Sequence, residues 1–382
     1  FGSSHVAFGR AASSRRQARE RIALAKSVAR SGARMPAEDE RMVVNLLEDG
    51  ITNEVLWQRR KDSLMVGSLM LPDGRALSYH IDGDLALRKP VVLLIHGMLN
   101  SRLLWLAEEP PSRCTYISVD RPGYADSSCP GPNYGYTAFA RDIEALLDHL
   151  GVEETIVIGH STGGPYALAV ASALGAQRVA CVACLCGDTE YANPSSETPV
   201  DPVAKDLLCC LARPLRRYWC WCLVPMLLRF GCLFFWIMRR LAAQRTQGFL
   251  WALMTTEERA MWEDRGGDNF FRYSLVESMR NSVLPTPARG AAGGIVTDFR
   301  LERAGRFDFD PSGIECRVIL WSCENDAPCL APTIFNHTTL CPGSELHILP
   351  GLGHLAMLRP DVLQQLIDRT LEVACRTGFT KP

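Results

Sequence analysis

The sequence predicts an α/β fold: a mostly parallel, doubly wound sheet interrupted by a helical insertion. Three observations carry this. Short apolar runs such as Val91–Ile95 and Val179–Leu185 lack polar alternation, as strands buried on both faces do. Amphipathic helical stretches separate them, and each parallel pairing needs such a crossover. The rhythm stops between about residues 188 and 295 and then resumes.

The chain has 382 residues, 47% apolar and 22% charged, an ordinary globular balance that allows a large core. The formal net charge of −1 supplies no bulk field for nucleic acid. Fifteen cysteines are many for this length, but several, including Cys181, Cys184 and Cys186, fall in or beside a strand-like run. They read as small buried hydrophobes in a reducing compartment rather than as a disulfide framework, which belongs to short secreted chains.

Taken in order, residues 1–36 form a basic arm with disordered or targeting-like composition, since residues 1–35 hold eight Arg or Lys and one acid, Glu20. Residues 37–63 read as a helical arm, with Met42, Val43, Leu46 and Leu47 near helical spacing. A core is expected over 64–187 and 296–382. It opens with a hairpin, 64–71 and 75–81, turned at Pro72-Asp73-Gly74. Further strands follow at 91–95, 115–119, 155–158, 179–185, 317–321 and 345–349, with helices at 137–150 and 165–174. The first of these helices turns Phe139, Ile143, Leu146, Leu147 and Leu150 inward.

The insertion, 188–295, reads as a helical cap over the strand C-terminal ends, where open α/β sheets bind ligands. Within it, 218–238 is nearly all apolar and long enough for a span. Arg229 at its centre, with Pro225 and Gly231, argues against one. The first reading is cap helices lining an apolar pocket; peripheral membrane contact, supported by basic flanks such as Arg216, Arg217 and Arg239, comes second.

The chemistry centres on Gly159-His160-Ser161-Thr162-Gly163, a G-x-S-x-G motif between a buried strand and a helix. Glycines are needed because such a serine sits on a sharp, strained strand-to-helix turn that lifts its hydroxyl above the sheet. Serine is a weak nucleophile and needs a base. His354, in Gly351-Leu352-Gly353-His354 after the last strand, is the candidate. Asp326, in Glu324-Asn325-Asp326 after the strand 317–321, supplies the acid in the order Ser, Asp, His expected for such a site. Glu324 on the same loop and Asp188 at the preceding strand end remain alternative acids. An oxyanion hole would use the backbone N–H of Thr162 and, after His96-Gly97, that of Met98, with His96 holding the loop.

Together these stretches resemble the α/β-hydrolase family over about residues 64–375. The residues that carry the resemblance are His96-Gly97, Asp120-Arg121-Pro122-Gly123-Tyr124, the run from Gly159 to Leu168, Glu324-Asn325-Asp326 and Gly351-Leu352-Gly353-His354; Asp298–Asp310 and Glu345–His354 are similar to one broad subgroup. The resemblance implies hydrolysis through a serine-bound acyl intermediate. It excludes epoxide hydrolase and haloalkane dehalogenase chemistry, in which an aspartate stands where this chain has Ser161. Ala125 departs from a glycine common after the Asp-Arg-Pro-Gly-Tyr run, and Cys329 stands where relatives have a nearby loop proline. The expected substrate is a small to medium apolar ester, thioester or lactone, with no metal or organic cofactor. The same triad could serve a C–C hydrolase, a perhydrolase or an acyltransferase. A non-catalytic ligand-binding or membrane-surface protein is the reading from another class.

Overall fold

The computed structural model describes residues 53–190, 259, 270–282, 293–326 and 329–376. The basic arm 1–36, most of the helical arm 37–63, the apolar stretch 218–238 and most of the 188–295 insertion lie outside the described residues. The chain divides into two compact units, Phe1–Arg59 and Arg60–Pro382. Helix α1, Asn53–Asp62, runs across that boundary in sequence and buries Trp57.

The larger unit is built on eight strands: β1 Met65–Met70, β2 Ala76–Asp82, β3 Val91–Ile95, β4 Thr115–Val119, β5 Thr155–His160, β6 Val179–Leu185, β7 Arg317–Cys323 and β8 Glu345–Leu349. They form one sheet in the order β1-β2-β4-β3-β5-β6-β7-β8. The β1–β2 and β2–β4 pairings are antiparallel, and the remaining five are parallel. The β1–β2 hairpin closes as its turn sequence requires. Gly74 takes φ +82°, and its N–H donates to Leu71 O at 2.9 Å.

Strands β3 to β6 are buried along their whole length, which explains their mainly apolar runs, while β8 at the sheet's edge is only partly covered. Successive β3 residues alternate between two cores: Val92 and Leu94 pack on one side, Val91, Leu93 and Ile95 on the other. The second core is covered by helix α2, Tyr136–His149, and helix α3, Gly163–Leu174, through Phe139, Ile143, Leu147, Leu168 and Val170. Helix α4, Phe270–Ser282, contributes Leu275, Val276 and Met279 to the first. Helix α5, Gly293–Ala304, follows it. The short helix α6, Leu330–Phe335, and the long amphipathic helix α7, Pro360–Arg376, are the last two α-helices among the described residues. Helix α7 brings Leu366, Ile367 and Leu371 to the first core. Each such side chain contributes about 1.5–3 kcal/mol when fully buried.

The described cysteines are free thiols, and Cys181, Cys184 and Cys186 are buried in or directly after β6. Burial pushes the Cys184 thiol well above its ordinary pKa, as expected of an inert core residue. Among the described residues, no helix is long and apolar enough to cross a membrane.

Candidate active site

Ser161 lies directly after β5 and before α3. Its φ of +54° falls in the left-handed region that a residue with a Cβ occupies only at a cost. Its N–H donates to Leu185 O at 2.9 Å, and its carbonyl accepts from Gly164 N at 2.8 Å, so the neighbouring strand β6 and helix α3 hold the turn. Between Thr155 and Ala171 every residue is buried except Ser161. The turn therefore presents one side chain outward. It can be this tight because glycines, Gly163 and Gly97, stand where the backbones crowd. A Cβ on Gly163 would sit 2.6 Å from Ile95 O, and one on Gly97 would sit 2.9 Å from the Ser161 Cβ.

That second approach brings the loop after β3 against the serine. Met98 is the next residue on this loop, and Thr162 is the N-cap residue of α3, where helix geometry leaves backbone N–H groups pointing outward. His96 is fully buried. Its Nε2 accepts the backbone N–H of Arg121 at 3.0 Å, so its Nδ1 carries the proton facing Gly97 O at 2.8 Å. Burial and then the Arg121 cation drive its pKa well below the ordinary value. It is a neutral brace on the loop.

His354 and Asp326 come together from the ends of β8 and β7. The His354 Nδ1 lies 2.9 Å from Asp326 Oδ2, with Asp326 buried and the imidazole 26% exposed. The two loops are stitched to each other. Glu324 N donates to Leu349 O at 3.0 Å, Asn325 N to Leu352 O at 2.9 Å, and Gly351 N to the Glu324 carboxylate at 2.9 Å. Glu324 thus caps the histidine loop rather than pairing with the ring. Asp188 sits at the end of β6, with its N–H 3.4 Å from Ser161 O. Of the three carboxylates, Asp326 is the one on His354.

Burial opposes ionisation of Asp326, but His354 and the Cys186 thiol beside it hold its pKa below the ordinary value. For His354, burial again opposes the charge. The Cys329 sulfur and the Asp326 carboxylate outweigh it and hold the imidazole pKa well above the ordinary value. His160, the residue before the serine, is the opposite case: burial, and then the charge on His354, bring it down to about 3. It packs against His354 with ring centroids 4.9 Å apart and stays neutral.

Cys186 Sγ, a carboxylate oxygen of Asp326 and a ring nitrogen of His354 lie within 4.8 Å of one another. They form the one such metal-donor trio among the described residues, and its carboxylate and imidazole are already paired with each other. Cys186 takes φ +50°, and its N–H donates to Trp321 O at 2.7 Å.

Two features escape a reading of the residues alone. Cys186, which by composition is a core thiol, lies beside the acid. Arg121 and Asp298 form a buried ion pair at 2.6 Å behind the serine. Both residues stand in stretches singled out by resemblance, but nothing in the sequence says that they touch.

Residues 90–207 match the family model described as the α/β hydrolase fold. An uncharacterised protein of Mycobacterium tuberculosis is 33% identical over 81 residues, 21% of this chain and 24% of that protein. The sn-1-specific diacylglycerol lipase ABHD11 of Mus musculus is 33% identical over 100 residues, 25% of this chain and 32% of the lipase. Epoxide hydrolase 4 of Homo sapiens is 32% identical over 87 residues, 22% of this chain and 24% of that enzyme. The chain therefore matches only about a quarter to a third of the length of these relatives. Solved structures overlap far more of it. A membrane phospholipase A, described as a bacterial virulence factor, superposes with TM-score 0.55 at 19% identity, covering 88% of this chain and 97% of its own. The enol-lactonase from Burkholderia xenovorans LB400 gives 0.52 at 17%, covering 80% and 100%.

Proposed function

This chain has the α/β-hydrolase fold, and on that premise we propose that it is a serine hydrolase working through an acyl-serine intermediate. The observation that carries the reading is the His354–Asp326 pair at 2.9 Å, which follows strands β8 and β7 at the same C-terminal end of the sheet as a serine held at φ +54° after β5. Ser161 is the nucleophile, His354 the general base and then acid, and Asp326 the group that fixes the imidazole tautomer and stabilises the imidazolium. The Ser161 Oγ attacks the acyl carbon while His354 Nε2 takes its proton. The carbonyl oxygen becomes an oxyanion facing the N–H groups of Thr162 and Met98. His354 then returns the proton to the leaving group, and water repeats the sequence on the acyl-enzyme.

A serine at this position supports acyl transfer over the chemistry named for the epoxide hydrolase relative, and the likeness to a lipase supports an ester. The preferred substrate is a small to medium apolar ester, thioester or lactone. Leu99, Phe271, Leu352 and Leu355 support this, being partly buried and packed on the core face that contains Trp105, Met279 and Cys329. The test is turnover of p-nitrophenyl esters of graded chain length by wild type and Ser161→Ala. Turnover abolished in the variant is expected; equal turnover would refute the assignment.

A further inference from the structure

Arg121 lies directly behind the candidate nucleophile, and every polar group of its side chain is engaged. Its Nε donates to His96 O at 2.8 Å, on the loop that leads to Met98. One terminal nitrogen donates to Thr162 Oγ1 at 3.1 Å, on the residue after Ser161. The two terminal nitrogens also meet both carboxylate oxygens of Asp298, at 2.6 and 2.9 Å. The backbone N–H of Arg121 holds His96 Nε2 at 3.0 Å. A single guanidinium thus touches the backbone of the His96 loop and the side chain of Thr162, the two segments that would supply the oxyanion donors.

Asp298 comes from α5. Besides Arg121 it accepts from Tyr124 OH at 2.5 Å and Tyr166 OH at 3.1 Å. Both rings also lie against the guanidinium, at 4.8 and 4.7 Å from its carbon. Helix α5 is fastened independently at its start, where Gly294 N donates to Gly123 O at 3.1 Å. A Cβ on Gly294 would fall 2.3 Å from the Tyr124 ring.

We infer that Arg121 and Asp298 are positioning residues. The pair sets the spacing between the His96–Met98 loop and Thr162, and so makes the oxyanion hole depend on the docking of α5. This rests on the serine-hydrolase reading above. The physical reason for arginine is its planar fork, which reaches three partners at once; lysine offers a point charge on a flexible stem. Neither residue touches the substrate. Their effect reaches the reaction only through the two backbone N–H groups, whose placement matters most once the oxyanion has formed.

The experiment compares wild type, Asp298→Asn and Arg121→Lys. It measures kcat and KM on p-nitrophenyl butyrate, the Ki of an alkyl trifluoromethyl ketone, and the melting temperature. The ketone adds the Ser161 Oγ to its carbonyl carbon, passes the hydroxyl proton to His354 and leaves a true oxyanion in the hole. The expected result is a fall in kcat of about 10- to 100-fold, somewhat less than the loss of a whole oxyanion donor. KM stays within a few-fold, and Ki rises by the same factor as kcat falls. Arg121→Lys keeps the charge opposite Asp298, so it decides the matter if Asp298→Asn does not fold. Unchanged kcat and Ki in folded variants would overturn the positioning role while leaving the hydrolase reading intact. A folded wild type inert to the ester and unlabelled by a fluorophosphonate would overturn both.

Discussion

His354 and Arg121 are both basic side chains paired with a buried carboxylate, yet they are built in opposite ways. The His354–Asp326 pair spans two loops and leaves the imidazole 26% exposed, while the Arg121–Asp298 pair is 1% and 2% exposed and walled by two tyrosines. In the proposed reaction the first group exchanges protons, so it needs a titratable ring, access, and a partner that fixes its tautomer. In the proposed positioning role the second keeps still, so it uses a side chain that does not lose its proton and fills its surroundings with partners. The lesson is that an ion pair's burial and identity indicate whether it moves charge or holds geometry.

The comparison breaks hardest at His354. Replacing it by alanine should lower kcat by about 10⁴- to 10⁶-fold, because the serine loses its base. The protein should melt near the wild-type temperature, since the ring is only partly enclosed. Loss of stability without loss of rate would invert the roles assigned to the two pairs. Asp326→Asn should cost about 10⁴-fold in kcat. It should also move the acid limb of kcat/KM downward, which a pH-rate profile would show. The sign follows from the shift: Asp326 and Cys329 hold the His354 pKa well above its ordinary value. The neutral base therefore forms only as pH rises past that raised pKa. In wild type the acid limb should lie above pH 6.5, and removing the carboxylate lowers it.

Arg121→Met sharpens the other side. Removing one partner of a buried ion pair typically costs about 3–5 kcal/mol. Denaturant unfolding should show a loss of that order, whereas His354→Ala should not. The smallest effect should come from Cys186→Ser, beside Asp326. The serine hydroxyl replaces the thiol as a donor, so the rate should change by less than about tenfold, in keeping with one modest hydrogen bond.

The two regions also differ in how much of them the sequence discloses. All eight strands lie within two residues of where apolar runs and turn residues put them; in β3 to β6 the reason is burial on both faces, which leaves little room for polar residues, and in β1 and β2 it is the turn at Pro72-Asp73-Gly74. Ser161, Asp326 and His354 were legible because each ends or follows such a strand, and strand order dictates which loops meet. Arg121 and Asp298 were not. They are 177 positions apart, and only the packing of α5 against the loop after β4 joins them. Cys186 was hidden for another reason. A thiol in an apolar run is indistinguishable by composition from core filling, and its place beside Asp326 follows from β6 and β7 being neighbours.

The measurement that tests the central claim most directly is labelling with a fluorophosphonate probe, comparing wild type with Ser161→Ala. The expected result is covalent labelling of wild type at Ser161, with none in a folded variant. Labelling that persists in Ser161→Ala, or a well-folded wild type that takes up no probe, would contradict it.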